Sequence, residues 1–117
     1  MTSMSYMFYN SSGLKELDLS NFDTSSVTQM NSMFSGCSSI AELDLSYFTP
    51  RTLYMADNLF NGCNSLRLLD IRNIDFSNTM PFSVFDGMPS DATIYVMDDW
   101  NKNWIDSNYD FANVIVP

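Results

Sequence analysis

The chain has 117 residues, the length of one domain, and 45% of them are apolar, which excludes a disordered tail. Asp and Glu number 14 against 5 Lys and Arg, and the resulting net charge of -9 excludes a basic nucleic-acid-binding surface and disfavours attraction to anionic lipid. No apolar run reaches the roughly 20 residues of a membrane span. Without His and with only 2 Cys, His-based catalytic triads, zinc sites and disulfide frameworks are excluded as well.

A repeat runs through most of the chain. A Met-Phe pair or its apolar equivalent recurs at 7–8, 33–34 and 59–60, a step of 26, and again at 84–85 after a step of 25. Three related segments accompany it: ELDLS at 16–20, ELDLS at 42–46 and LLDIR at 68–72. Repeats of about 20–29 residues with the spacing L-x-x-L-x-L are typical of leucine-rich repeats.

Each copy of the repeat is predicted to contain one short strand. In the first copy, apolar residues stand at Leu14, Leu17, Leu19 and Phe22. Since side chains alternate along a strand, Leu17 and Leu19 face the core and Asp18 faces outward. One copy cannot bury its apolar side alone, whereas stacked copies with parallel strands about 4.8 Å apart share a continuous core. The sequence therefore predicts a leucine-rich-repeat solenoid of the α/β type, with a short parallel β-strand and a turn, 3₁₀ or short helical segment in each coil.

The segment that leads from one strand to the next, 27–40 in the second copy, is predicted to be a turn or a short helix. Three apolar residues have the i, i+3, i+4 spacing of one helical face: Met30, Met33 and Phe34. Gly36 follows them and allows the positive φ that ends a helical turn. The third copy is less regular, because Pro50 and Pro81 interrupt the stretch after the strand, and irregular loop or short 3₁₀ turns are expected there.

Residues 91–117 depart from the repeat and predict a different unit. TIYV at 93–96 replaces the next strand, a helix is expected over 99–107 after the N-cap candidate Asp98, and 113–117 is expected to form a last strand. Repeat arrays need an atypical final unit that covers the open core. We expect this unit to do so with its largest apolar side chains: Tyr95, Trp100, Trp104 and Ile105.

The repeat register places Met1 inside a copy, so that the array starts without a cap. The sequence thus predicts one domain, with three to three and a half coils in 1–90, truncated at the N-terminus, and a capping unit in 91–117. We expect the chain to be the C-terminal part of a longer array. We also expect it to self-associate, or to fray, through its uncapped N-terminal end.

The second copy resembles a known repeat. Its sequence VTQMNSMFSGCSSIAELDLSYF, at 27–48, is similar to the repeat of the BspA-like bacterial surface proteins, which typically reads V-T-x-M-x-x-M-F-x-G-C-x-S-L-x-x-L-D-L-S-x-F. The resemblance covers about residues 1–90, with departures at Arg72 and Ile74, and DATIYVMDDWNKNWI at 91–105 resembles the ending of that family. It implies an exported, non-enzymatic protein at the cell surface that adheres to host matrix, to other cells or to partner proteins.

Three acidic residues are expected to form a column on the outward side of neighbouring strands: Asp18, Asp44 and Asp70. Like charges directly opposite one another are destabilising. The column therefore either holds a cation or a basic partner, or is a solvated face whose oxygens accept hydrogen bonds from nearby Ser, Asn or Arg. Arg67 and Arg72 are local counter-charges. We favour the solvated face, because the further oxygen ligands that a calcium site needs are not evident.

Cys37 and Cys63 occupy equivalent positions in adjacent copies, within disulfide range. Side chains stacked in register point the same way, however, so two buried free thiols are favoured over a bond. No base is available to activate either thiol or a Ser hydroxyl. We therefore expect no catalytic residue, no cofactor and no enzymatic activity.

Two functions of different class fit the sequence. The first is a surface adhesion or recognition module that binds a protein or glycan of a host or neighbouring cell through the concave sheet face. The residues predicted for that face are Glu16, Asp18, Ser20, Glu42, Asp44, Ser46, Leu68, Asp70 and Arg72. The second is a structural end-piece that caps and spaces a longer array while binding occurs elsewhere. The family resemblance favours the first, at an extracellular location.

Overall fold

The computed structural model describes residues 2–79 and 82–117, and in these ranges the chain forms one parallel sheet and one α-helix. The strands are β1 (Glu42–Asp44), β2 (Leu68–Asp70), β3 (Thr93–Tyr95) and β4 (Asn113–Ile115), and helix α1 (Asp99–Asn108) lies between β3 and β4 in the chain. The strands pair in the order β1-β2-β3-β4, each parallel to the next. Pro81, where an irregular stretch is predicted, lies outside the described residues.

The central residue of every strand points into the core. Leu43, Leu69, Ile94 and Val114 are partners in the strand register, and their side chains are at most 7% exposed. Their neighbours in the strands face the other way, as the period of two residues requires. Strands thus lie where the sequence predicts them in the second and third copies, at 93–96 and at the C-terminal end.

Successive copies are also joined along the stretches that lead from one strand to the next. There, N–H groups donate to carbonyl oxygens of the following copy; three such pairs are Phe8–Met33, Phe34–Leu59 and Phe60–Val84, at 2.9, 3.0 and 2.8 Å. Because these N–H groups bond to the neighbouring copy, they cannot bond to the fourth residue before them, and no helix forms. Ser32 and Gly36 take positive φ values of 55° and 79°. Of the alternatives predicted for 27–40, the hydrogen-bonded turn is the one that forms.

Four Phe rings form a continuous stack through the core, one from each copy: Phe8, Phe34, Phe60 and Phe85. Neighbouring ring centroids are 5.7 Å apart, with interplanar angles of 11°, 6° and 14°. The last three rings are at most 1% exposed, whereas Phe8 at the end of the stack is half-buried. The spacing stays constant across the step of 25 residues between the last two rings, so the shorter copy keeps its place in the stack.

The first copy departs from the others where its strand is predicted. Residues 15–19 form no strand, and none of the described backbone hydrogen bonds joins them to β1. Leu17 is half-buried, whereas its counterpart Leu43 is 3% exposed. Phe22 is 37% exposed, whereas its counterpart Phe48 is fully buried. The strand predicted around Leu17 is therefore wrong.

Helix α1 covers the end of the core beyond Phe85. Trp104 packs on Phe76 and Phe85 with centroid distances of 5.3 and 5.9 Å, and Ile105 is fully buried. Trp100 stacks on Trp104 at 6.4 Å and is 49% exposed. Because Trp104 already occupies the position next to the Phe rings, Trp100 does not close the core as expected.

Asn101 fastens α1 to the preceding copy. Its side chain is 1% exposed, and its Oδ1 accepts the N–H of Phe76 at 3.0 Å. Its Nδ2 donates to Asp98 at 2.8 Å and to Asp75 at 3.3 Å. Asp98 is the N-cap, as predicted, and also accepts the N–H of Asn101. A buried amide whose donors and acceptor are all bonded fixes the orientation of the helix on the core.

Candidate functional site

The outward side of the sheet is acidic, with an apolar centre. Because the central residue of each strand points inward, the flanking side chains of β1, β2 and β3 share the outer face. They border a shallow cavity of about 260 Å³ lined by Glu42, Leu43, Asp44, Leu68, Asp70 and Tyr95. Leu68 is 37% exposed there, which makes it an apolar contact point among carboxylates.

Arg72 neutralises the centre of this face. Asp44 and Asp70 are direct partners in the register of β1 and β2. The Arg72 guanidinium grips both oxygens of Asp70, with its Nη2 at 2.8 Å from Oδ2 and its Nε at 3.0 Å from each oxygen. It also lies over the Tyr95 ring, 5.6 Å from the centroid. The ion pair with Asp70 raises the pKa of Arg72 further, so this counter-charge is permanent.

The carboxylates of the predicted column are held by their own turns. Asp18 accepts the N–H of Ser20 at 3.0 Å, Asp44 that of Ser46 at 2.9 Å and Asp70 that of Arg72 at 3.2 Å. The Ser20 hydroxyl and N–H together lower the pKa of Asp18. Hydrogen bonds from nearby Ser and Arg are what the solvated-face interpretation predicts. Among the described residues, no group of three His, Cys, Asp or Glu side chains is placed to hold a metal ion.

The nine residues predicted for the binding face fall into three groups. Four lie on the sheet: Glu42, Asp44, Leu68 and Asp70. Two lie in the turns that follow the strands: Ser46 and Arg72. The other three belong to the first copy and lie outside the sheet: Glu16, Asp18 and Ser20.

The expected column of three carboxylates is therefore wrong for Asp18. If the first copy paired with β1 in the repeat register, Glu16 would face Glu42 and Asp18 would face Asp44, because the two ELDLS segments are identical. Such like-charged pairs are destabilising. In the next pair of strands Glu42 faces the uncharged Leu68, and Arg72 offsets the remaining acidic pair. The sheet therefore begins at β1.

A comparison with known protein families bears on this arrangement. The family described as "Mycoplasma protein of unknown function, DUF285" matches residues 1–100. The chain belongs to this family. The DUF285 match contains β1, β2 and β3 and ends at the second residue of α1, so the whole outer face of these strands lies within it. No curated protein and no solved structure matches the chain.

The two thiols of the chain are buried and free, as the sequence predicts. Cys37 donates to the carbonyl of Phe8 at 3.2 Å and Cys63 to that of Phe34 at 3.0 Å, so each thiol bonds back to the preceding copy. Burial raises the pKa of Cys63 to about 12 and also raises that of Cys37. Both remain protonated and unreactive in the folded protein at neutral pH.

Two tyrosines in the C-terminal part of the chain, Tyr95 and Tyr109, make contacts that the sequence did not predict. Tyr95 was expected in the closing core but lies on the outer face under Arg72, since its neighbour Ile94 takes the inward position. Tyr109 donates to Asp86 at 2.6 Å, and burial together with this bond raises its pKa to about 12. No signal in the sequence indicates that pairing. The alternation along TIYV, in contrast, would have placed Tyr95 outward.

Among the described residues, no helix is both long enough and apolar enough to span a bilayer.

Proposed function

We propose that this chain is a leucine-rich-repeat solenoid of the BspA-like type and acts as a non-enzymatic recognition module at a cell surface. Parallel strands that pair in chain order, and the Phe stack at the repeat step, support the solenoid class. Membership of the DUF285 family over residues 1–100 and the resemblance of the repeat support a surface role. In this proposal residues 1–90 form the coils and 91–117 form the cap.

The outer face of the sheet is the proposed contact surface, and its partner is a protein or glycan of a host or neighbouring cell. One observation carries this assignment: Leu68 and Tyr95 form an apolar centre on an otherwise acidic, solvent-exposed face. Apolar or aromatic anchors surrounded by polar groups are the usual composition of a recognition surface.

Adhesion of coated beads tests the proposal. Beads that carry the purified chain are applied to cultured epithelial cells and to immobilised matrix proteins, and bound beads are counted against albumin-coated beads. Leu68→Ser combined with Tyr95→Ser should lower binding at least about tenfold, the scale expected when central anchors are truncated. Tyr47→Ser is the matched control, since Tyr47 is 58% exposed but lies outside the cavity lining.

Equal binding by both variants, or binding no stronger than that of albumin beads, would contradict the recognition role. Melting temperatures of all variants establish that the fold is retained.

A structural role is the second candidate. Trp104 and Ile105 of α1 cover the last Phe ring, which favours a unit that caps and spaces a longer array. Under this alternative the bead assay gives no binding, while removal of α1 exposes the core and lowers solubility.

A further inference from the structure

The strand β1 has an open edge. The opposite edge of β1 is paired with β2. There the carbonyl of Ala41 accepts hydrogen bonds from the N–H groups of Arg67 and Leu68, and the N–H of Leu45 donates to the carbonyl of Asp70 at 2.9 Å. Backbone polar groups alternate between the two edges of a strand, so those of Glu42 and Asp44 point away from β2. None of the described backbone hydrogen bonds reaches them from residues 15–22. Open edges of this kind accept additional strands.

A cleft separates this edge from the first copy. It has a volume of about 440 Å³ and is lined by Lys15, Glu16, Leu17, Ala41, Glu42 and Asp44. The first copy is nevertheless fixed on both sides of the cleft. The Ser39 hydroxyl donates to the carbonyl of Ser12, and the Thr24 hydroxyl accepts the N–H of Thr49 at 2.8 Å. The opening therefore lies between two anchored points of an otherwise stacked copy.

The charges of the cleft indicate what fits it. Three of its lining side chains are acidic, those of Glu16, Glu42 and Asp44, against the single cation Lys15. The ELDLS segment of the first copy would bring two further like-charged pairs to β1, which is a physical reason for its absence from the sheet. An occupant that carries positive charge at the same positions would convert both repulsions into attractions.

We propose that the open edge of β1 binds an extended, basic segment of a partner protein as an additional parallel strand. The inference rests on the proposed recognition role and assigns part of that role to the edge of the sheet. Since side chains alternate along the added strand, its outward residues lie beside Glu42 and Asp44 and are Lys or Arg. Its inward residues lie beside Leu43 and are apolar. Main-chain hydrogen bonds supply affinity, and the alternation supplies specificity.

The direction of the backbone groups in β1 determines which N–H groups of the partner strand can hydrogen-bond to it. In the pairing of β1 with β2, the inward residue Leu43 meets outward residues of β2. At the open edge of β1, the backbone groups of the outward residues Glu42 and Asp44 must therefore hydrogen-bond to inward residues of the added strand. The N–H groups of its apolar residues therefore face β1, and those of its basic residues face away.

N-methylated peptides test this directly. The probe is a short synthetic peptide in which lysine and valine alternate, and its binding to the full chain is measured by fluorescence anisotropy. Methylation of the valine N–H groups should weaken binding about tenfold or more, because each lost main-chain bond removes up to about a factor of ten. Methylation of the lysine N–H groups is the matched control and should have little effect. Equal effects of the two methylation patterns would overturn the proposal.

Variants of the chain supply the second arm. Glu42→Gln with Asp44→Asn should weaken peptide binding about tenfold, whereas Asp110→Asn, an exposed acid remote from the cleft, should not. Glu16→Lys with Asp18→Lys should let the first copy pair with β1, which abolishes peptide binding and slows amide hydrogen exchange at Glu42 and Asp44. Unchanged exchange in that variant would contradict the charge argument.

The remaining outcomes separate this inference from the recognition role. If the peptide binds regardless of methylation and is lost with Leu68→Ser and Tyr95→Ser, the sheet face binds and the edge does not. If the chain dimerises through the edge of β1 without peptide, a second copy is the occupant and the proposed partner is wrong. If coated beads adhere to cells but the peptide does not bind, recognition stands and the strand addition fails.

Discussion

Replacement of Asn101 by Asp should destabilise the protein strongly, although the two side chains are nearly equal in size. Asp has nearly the shape of Asn, but it lacks the Nδ2 donors that reach Asp75 and Asp98, and it adds a third carboxylate between them. A hydrogen bond to a charged acceptor contributes about 1.5–3 kcal/mol. With the longer bond at the low end, Asn101→Asp should lower the free energy of unfolding by about 3–5 kcal/mol at pH 7, a large part of a typical total.

Low pH should reduce this loss. In the variant, the new carboxylate lies beside two others, so its pKa in the folded state is raised. A raised pKa gives stability that is fully present below the unfolded value of about 3.9 and is lost as pH rises through the folded value.

In the unaltered protein, the pKa of Asp75 is shifted in the opposite direction. Burial alone would raise its pKa, but hydrogen bonds from Ser77 and Asn101 lower it overall. Its contribution is therefore present above the unfolded pKa and is lost as pH falls through the folded one. The unaltered and variant proteins should converge in stability as the pH falls toward 4.

Urea unfolding followed by Trp fluorescence, at pH 7 and pH 4, measures the loss in the variant and its reduction at low pH. Asn103→Asp is the matched control: it makes the same substitution in the same helix at an exposed side chain and should change stability by less than about 0.5 kcal/mol. A loss below about 1 kcal/mol for Asn101→Asp, or a loss independent of pH, would refute the assigned role of Asn101.

Three further predictions concern the core, the thiols and the acidic face. Met4→Ala should cost about 2–4 kcal/mol in thermal melts, because Met4 is 1% exposed, whereas Met7→Ala, at 39% exposure, should cost less than about 1 kcal/mol; similar losses would contradict the burial of Met4. Cys37 and Cys63 should react with a thiol reagent only after denaturation, and stability should fall as pH rises from about 8.5 toward 12, since folding holds Cys63 protonated until its raised pKa is reached; rapid labelling of native protein would contradict this. Millimolar calcium should leave the melting temperature nearly unchanged, and a saturable rise of several degrees would instead indicate a cation site on the sheet face.

The repeat made the strands and their register predictable. Leu43 and Leu69 belong to copies of one motif, and a strand period of two residues is enough to assign their inward direction. The thiol positions followed from the same register, because Cys37 and Cys63 occupy equal places in adjacent copies. These features depend on local pattern and on stacking, both of which the sequence contains.

The effect of charged residues on strand pairing between neighbouring copies was harder to predict. Pattern alone makes the first and second ELDLS segments equivalent, yet only the second is a strand. The difference depends on the neighbour: Leu68 and Arg72 relieve the acidic residues of β1 on one side, whereas the other side offers the single cation Lys15 together with a further acid, Glu16. The hydrogen bonds of the Asn101 side chain could not be predicted either, since the sequence of a helix does not distinguish a buried Asn from an exposed one.

The stack of Phe rings has a consequence for how the gene can change. Phe34 and Phe60 each meet a ring of the same kind, at the same 5.7 Å, on both sides. An in-frame duplication of one whole copy would therefore extend the stack of rings at an unchanged spacing, whereas a partial duplication would break the hydrogen bonds that join the turns of successive copies. Related genes should accordingly differ in length by whole copies, as unequal crossing-over would produce. The segment around α1 should occur once in each gene.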